Sequence, residues 1–192
     1  MPRKPRIQSP TDIYHFINRG VNKKKLFHHD RDYQYYLELL KEYSTRFSIQ
    51  IHHYCLMNNH THLLIKADGI GLVSRFGQFV QRRYAYYYCK TYRWSEQVFR
   101  KRFISIPIQE DAYLLECGRY IERNPLKAKL VQDPQDYPYS SYSFYSHQKE
   151  DLLITPNPLY ETMGRNPLER TAAYKFYVGY TREQEKELAA PF

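Results

Sequence analysis

Residues 49–65 constrain the fold more than any other stretch of this chain. Ile49, Ile51, His53, Cys55 and Met57 alternate along one run, and Thr61-His62-Leu63-Leu64-Ile65 forms a second, apolar and β-branched run. Between them stands Asn58-Asn59, a pair whose short amide side chains tolerate the backbone of a tight turn. Two strand-like runs separated by turn residues predict an antiparallel hairpin, the second strand returning beside the first. Successive side chains of a strand point to opposite faces, so such a hairpin needs partners to cover its apolar side.

The flanking sequence supplies them. Ile13-Tyr14-His15-Phe16-Ile17 reads as a strand that stops at Asn18-Arg19-Gly20, followed by the basic turn Asn22-Lys23-Lys24-Lys25. Tyr33, Tyr36, Leu37, Leu40, Ser44 and Phe47 then recur at helical spacing, with Asp30 and Asp32 near the helix start. Beyond the hairpin, Leu72, Phe76, Phe79, Val80 and Tyr87 mark the inner face of a second helix, with Arg75 and Arg82 elsewhere on its surface. Residues 103–108 read as a strand whose Pro107 suits a sheet edge. A third helix is expected from about Glu110 to Arg123, stopped by Pro125. The first six elements follow the split βαβ order of a ferredoxin-like α+β sandwich, an antiparallel sheet with helices on it. The expected organisation is a basic, proline-rich arm over 1–11, one domain over 12–131 and an irregular extension over 132–192. Residues 181–190 read as a short polar helix or a frayed end, and neither an internal repeat nor a second core is expected.

Charge narrows the partner. The 192 residues carry a formal net charge of +9 and a sequence pI of about 9.3, which favours a polyanion, nucleic acid first. The 21 tyrosines suit stacking on unpaired bases, although core packing is the more common use of such residues. Cys55, Cys89 and Cys117 are odd in number and lack paired spacing, which argues against a disulfide framework or zinc ribbon and suits a reducing cytoplasm. Residues 1–6 have no apolar run behind them, unlike a secretory signal, and no apolar stretch reaches the ~18 residues of a membrane span.

His60-Thr61-His62 is the candidate for chemistry. In a strand these two imidazoles share a face and form half of a metal site. By spacing alone they equally fit hydrogen-bonded or surface histidines in a chain that holds eight. His28-His29 and His52-His53 are adjacent pairs that point apart in a strand. On the third helix, Tyr113, Cys117, Tyr120, Ile121 and Asn124 fall on one face, and Tyr120 and Asn124 lie one turn apart. A phenol and an amide on that face suit either packing or a nucleophile with a ligand beside it, and the pattern does not choose between them.

A resemblance does. Residues Tyr54 to Ile65, with Asn59-His60-Thr61-His62 at their centre, resemble the His-hydrophobic-His segment of single-tyrosine HUH transposases. Residues Tyr113 to Ala128, with Tyr120-Ile121-Glu122-Arg123-Asn124-Pro125, resemble the helix that carries their nucleophile. The branch most similar is that of the REP-associated tyrosine transposases. Met1-Pro2-Arg3-Lys4-Pro5-Arg6-Ile7, Tyr14-His15 with Arg19-Gly20, Arg82-Arg83-Tyr84 and Asp136-Tyr137-Pro138-Tyr139-Ser140-Ser141-Tyr142 also resemble it, in the same order. The similarity runs to about Gly164, and residues 165–192 lie outside it. Asn58, Thr61 and Lys129 stand where the family often has a proline, an aliphatic residue and a glycine, and none of the three removes a reacting group.

The resemblance implies a ferredoxin-like fold, Tyr120 as nucleophile, and His60, His62 and Asn124 as ligands of Mg²⁺ or Mn²⁺. Charge alone would favour Glu116 over Asn124 as third ligand, because a hard cation prefers a carboxylate. The implied activity is nicking and strand transfer on single-stranded DNA at hairpin-forming palindromic repeats through a 5′-phosphotyrosine, with a monomer expected over a swapped dimer. Candidate DNA contacts are Arg3, Lys4 and Arg6 in the arm, Lys23, Lys24 and Lys25, Arg75, Arg82 and Arg83 on the second helix, and Arg100, Lys101 and Arg102. Two other readings are a hairpin-binding regulator without turnover and an RNA-binding domain on a ferredoxin-like sheet. The last would need exposed aromatics in an RNP-like run, which the sequence lacks.

Overall fold

A computed structural model describes residues 5–110 and 112–179. Arg3 and Lys4 of the expected arm, and the expected helix at 181–190, lie outside the described residues. Four strands, β1 (Ile13–Arg19), β2 (Gln50–Met57), β3 (His60–Lys66) and β4 (Ile104–Pro107), form one antiparallel sheet in the order β2-β3-β1-β4. This is the ferredoxin-like arrangement expected from the element order. Met57 pairs with His60 across the Asn58-Asn59 turn, and Pro107 lies on the edge strand β4.

Helices α1 (Asp30–Arg46) and α2 (Ile70–Tyr92) cover one face of the sheet. Asp32 starts α1: its Oδ2 accepts from the backbone N–H of His28 and His29, closing a capping box with the His29 side chain. The hydroxyls of Tyr87 and Tyr92 on α2 donate to the same carboxylate and tie the two helices together. Beneath them Tyr14, Phe16, Leu56, Leu63 and Ile65 of the sheet meet Tyr36, Leu40, Phe76, Val80 and Tyr84 in the main core. Most tyrosines are packing residues here.

The other face is covered by α3 (Ala112–Glu122), which brings Leu114, Cys117, Tyr120 and Ile121 onto Ile13, Cys55, Met57 and Leu64. The expected unbroken alternation of residues 49–57 fails at one point. The register shifts between Ile51, opposite Ile65, and His53, opposite Leu64, so His52 is an extra residue. That bulge leaves Ile51 in the core under α1 and α2 and turns His53 towards α3. The third helix ends at Glu122, close to the expected Arg123. A short helix not expected follows it, α4 (Asn124–Lys127), and Pro125 sits in its first turn, where the missing N–H costs no hydrogen bond.

The extension is more ordered than its composition suggests. Residues 139–141 and 154–155 pair with the outer edge of β2: Leu56 N–H donates to Tyr139 O, Ser141 N–H to Tyr54 O and Thr155 N–H to Ile51 O. An edge that would otherwise invite pairing with another chain is thereby covered. Then α5 (Tyr142–His147) and α6 (Pro167–Gly179) enclose a small cluster of their own, Tyr142, Tyr145, Tyr160, Tyr174 and Val178. Tyrosines do in this cluster what aliphatic residues usually do, which is why the segment does not read as a core. No helix among the described residues is long and apolar enough to cross a membrane, and the three cysteines are free thiols.

Candidate active site

The site forms where α3 crosses β1 and β3. His62 on β3 is buried, and its neighbour in the sheet is Ile17. His15 lies two residues before Ile17 on β1, hence on the same face. Its Nε2 is 2.8 Å from His62 Nδ1, so one ring nitrogen donates to the other. His60 is half-buried, its Nδ1 donating to Asn59 Oδ1 at 2.6 Å. The His60 and His62 rings lie 4.9 Å apart, edge to face.

From α3, the Tyr120 ring comes to 5.8 Å from the His62 ring and 5.9 Å from the His15 ring. One helical turn later Asn124 donates from Nδ2 to the carbonyls of Tyr120 and Ile121, so its Oδ1 is the end left for other partners. The Asn124 amide stands close enough to His60 to raise its pKa. His60, His62, Tyr120 and Asn124 are thus brought together.

Burial controls the charge of this cluster. Desolvation, reinforced by the Arg19 guanidinium, pushes His60 down to about 4 although Asn124 pulls the other way. His62 is driven well below its ordinary value by burial and by His15, His60, Arg19 and Lys127 around it, and burial lowers His15 to about 3. All three imidazoles are therefore neutral at pH 7, with lone pairs rather than charges to offer.

The expected single face of the third helix is only partly realised. Cys117, Tyr120 and Ile121 are buried, but Tyr113, in the first turn, is 51% exposed. Glu116 lies on the other flank, where its carboxylate is 3.9 Å from Arg119. Among the described residues no three His, Cys, Asp or Glu side chains converge as a ready-made metal site.

Three residues at the site were not anticipated. His15 was visible as part of a motif, but only the neighbouring of β1 and β3 reveals that it meets His62. Arg19 interacts electrostatically with Tyr120, His60 and His62. Lys127 holds its ammonium 4.4 Å from the centre of the Tyr120 ring.

The basic candidates divide into groups. Lys23 and Arg100 join Arg19, Asn22, Asn59 and His60 around a cleft of about 400 Å³. Arg6, Arg82, Lys101 and Arg102 line a groove of about 1160 Å³ between α2 and residues 96–103, and Arg100 lies at both. In this groove Arg6 stacks on Phe103 at 3.9 Å, and the nearness of Arg102 adds to burial in lowering its pKa. Lys24 packs on Trp94, Lys25 is exposed, and Arg75 and Arg83 are exposed on α2 outside both cavities.

No curated protein matches the chain. Among solved structures, a REP-associated tyrosine transposase bound to a REP hairpin matches with a TM-score of 0.65 at 14% identity, over 82% of this chain and 96% of that one. A protein of Deinococcus radiodurans R1 described as a transposase matches with a TM-score of 0.41 at 17% identity, over 64% and 95%. The first of these shares the fold described above. A family model described as IS200-like transposase matches residues 10–124, more than half of the sequence and every element that builds the histidine–tyrosine site. The chain belongs to the IS200-like transposase family, enzymes that act on DNA.

Proposed function

We propose that this chain nicks and rejoins single-stranded DNA at hairpin-forming repeats, with Tyr120 as nucleophile and His60, His62 and Asn124 as ligands of Mg²⁺ or Mn²⁺. The observation that carries the reading is the approach of Tyr120 to within 5.8 Å of the His62 ring inside one chain. The donor set suits a cation. Both imidazoles are neutral, the Nδ1 of each is already engaged, by Asn59 and by His15, and Asn124 turns its two N–H groups to the backbone. Ligands oriented through their second nitrogen are the usual support of a metal site. Imidazole softness alone would suit Zn²⁺, and the choice of Mg²⁺ or Mn²⁺ follows the family resemblance.

When bound, a divalent cation withdraws charge from the scissile phosphate and orients it. The protein's own groups do the rest. The Tyr120 hydroxyl oxygen attacks phosphorus while the bond to the 3′ oxygen breaks, giving a 5′-phosphotyrosine and a free 3′-hydroxyl. The phenol loses its proton as it attacks, and the departing oxygen gains one. Free tyrosine has a pKa near ~10, so the positive charges of Arg19 and Lys127 beside Tyr120 favour the phenolate. Attack by a 3′-hydroxyl on the phosphotyrosine reverses the step, and because the bond energy is conserved no ATP is needed.

The DNA partner is supported by charge. The REP-associated transposase of similar fold is bound to a REP hairpin, and the cleft at His60 and the groove of Arg6, Arg82, Arg100, Lys101 and Arg102 offer cations to a phosphate backbone. Lys23 lines that cleft, and Lys24, Lys25, Arg75 and Arg83, with Arg3 and Lys4 outside the described residues, are further candidate phosphate contacts in this reading. The test is incubation with a labelled hairpin carrying a single-stranded foot. Wild type should give a denaturant-resistant protein–DNA band with Mg²⁺ or Mn²⁺ and none in EDTA. Hairpin binding without any such band would leave the non-cleaving regulator instead.

A further inference from the structure

Glu122 is a fully buried carboxylate two residues beyond Tyr120, and the reaction above gives it no task. It accepts three hydrogen bonds: from His53 Nδ1 at 2.9 Å, from Ser141 Oγ at 2.6 Å and from the Tyr174 hydroxyl at 2.6 Å. The donors come from β2, from the turn before α5 and from α6. His53 is itself held. Asn157 Nδ2 lies 3.1 Å from its Nε2, and Tyr145 stacks on the ring at 4.4 Å. Because an amide nitrogen only donates, Nε2 of His53 accepts, Nδ1 carries the proton, and every partner in the chain of bonds is assigned.

Gly118, one turn before Glu122, completes the fit. A Cβ there would stand 2.6 Å from Nε2 of His53, so the imidazole rests directly against the helix backbone. On the same side of α3, Arg119 Nε donates to Tyr177 O at 2.8 Å and Arg123 Nη1 donates to Val178 O, engaging carbonyls in the last turn of α6. Tyr120 leaves the helix roughly 160–200° away from Gly118 and Glu122, towards the histidines. One flank of α3 therefore carries the reacting group and the other a buried polar lock.

A buried charge is a poor way to gain stability, since an apolar residue of similar volume packs at less cost. What it supplies is registry. Sliding α3 by one turn, about 5.4 Å, or rotating it would break all three bonds to Glu122 at once. Ser141, Asn157 and Tyr174 lie beyond the residues 10–124 matched by the family model, whereas His53 and Glu122 lie within them, so the extension supplies two of the three donors to Glu122. We propose that Glu122 is a positioning residue: bonded to His53, Ser141 and Tyr174, it fixes the rotation and register of α3 and thereby the aim of Tyr120. The proposal rests on Tyr120 being the nucleophile.

The test separates aim from binding and from folding. With the full chain, a labelled hairpin with a single-stranded foot and Mn²⁺, two quantities are measured: the hairpin Kd in EDTA, and the single-turnover rate of covalent adduct formation at saturating DNA. Glu122→Ala should lower the rate roughly 100-fold, the size expected for a misplacement of about 1 Å, with the Kd unchanged. Glu122→Gln keeps one carbonyl oxygen, which can still accept from both His53 and Ser141, and loses the acceptor for Tyr174; it should recover part of the loss. Tyr174→Phe removes one hydroxyl, keeps the packing, and should lower the rate by a smaller factor; it carries the test should Glu122→Ala not fold. Leu40→Ala, in the core under α1, is the control: it lowers Tm but leaves the rate intact below its melting range. Unchanged rates in the Glu122 and Tyr174 variants, or an equal rate loss in Leu40→Ala at the same Tm, would overturn the proposal. A wild type that forms no adduct, or an adduct that survives in Tyr120→Phe, would overturn the nucleophile assignment on which it stands.

Discussion

Tyr14, Phe16, Leu63 and Ile65 send their side chains to α1 and α2, whereas Ile13, His15, His62 and Leu64, one residue out of phase on the same two strands, send theirs to α3. The first face is a continuous aromatic and aliphatic core. The second mixes a small apolar cluster with four buried or half-buried histidines, a buried glutamate and two buried arginines. The difference shows how one sheet serves two ends. Apolar contacts are non-directional and tolerate small shifts, while each polar atom on the other face needs a particular partner, and those partners fix where the reacting groups stand.

The largest expected effect breaks the comparison directly. His62→Ala should cost several kcal/mol of barrier lowering, roughly a thousand-fold in adduct formation, with hairpin binding retained. Phe16→Ala on the opposite face should cost about 3–5 kcal/mol of stability while its folded fraction reacts at the normal rate. Single-turnover kinetics beside chemical denaturation checks both, and a thousand-fold slower folded Phe16→Ala would mean the faces are not separable.

Next in size is the third ligand. Asn124→Ala should raise the Mn²⁺ concentration for half-maximal cleavage by roughly tenfold or more, and Glu116→Ala much less, because Asn124 adjoins His60 while Glu116 lies by Arg119. The reverse order of effects would exchange their roles.

Acid should weaken the two sides in different windows. His52, beneath residues 155–156 of the extension, is lowered by burial to about 4. Between about pH 6.5 and 4 the unfolded chain therefore binds a proton that the folded chain refuses, and stability falls by at most about 1.4 kcal/mol per pH unit for that group. For Asp32, burial raises the pKa, but hydrogen bonds from Tyr92, His28, Tyr87 and His29 outweigh it and hold the carboxyl below its ordinary value. Its contribution is complete above about pH 4 and is lost as pH falls through the lowered folded value. Denaturation curves across pH should show His52→Gln flattening the upper window, and Asp32→Asn converging on wild type only in the lower one. Both changes in a single window would contradict this.

The smallest effect concerns the groove. Lys101→Ala or Arg102→Ala should each flatten the plot of log Kd against log salt by about 0.7 to 0.9 for every phosphate that the side chain neutralises. An unchanged slope would mean that the residue touches no phosphate.

The strands, the helices over 30–122 and the cluster of His60, His62, Tyr120 and Asn124 were legible because each follows from a local period or from a motif. What stayed hidden depends on contacts distant in sequence. His15 meets His62 across 47 positions, and Glu122 gathers donors from residues 53, 141 and 174. The bulge at His52 interrupts a pattern that looks unbroken in one dimension. In the extension, tyrosines bury their rings and send hydroxyls to backbone carbonyls, as Tyr137 does to Leu56 O and Tyr145 to His52 O, so a core is written in residues that read as surface.

The central claim is that Tyr120 itself becomes bonded to DNA. Trypsin cleaves after Arg119 and Arg123, which releases Tyr120-Ile121-Glu122-Arg123, a four-residue peptide with a single tyrosine. Digesting the gel-purified adduct with nuclease and trypsin, then sequencing by mass spectrometry, should find the nucleotide mass on the Tyr120 of that peptide and nowhere else. Nucleotide on Tyr113, or on any other tyrosine, would contradict the account.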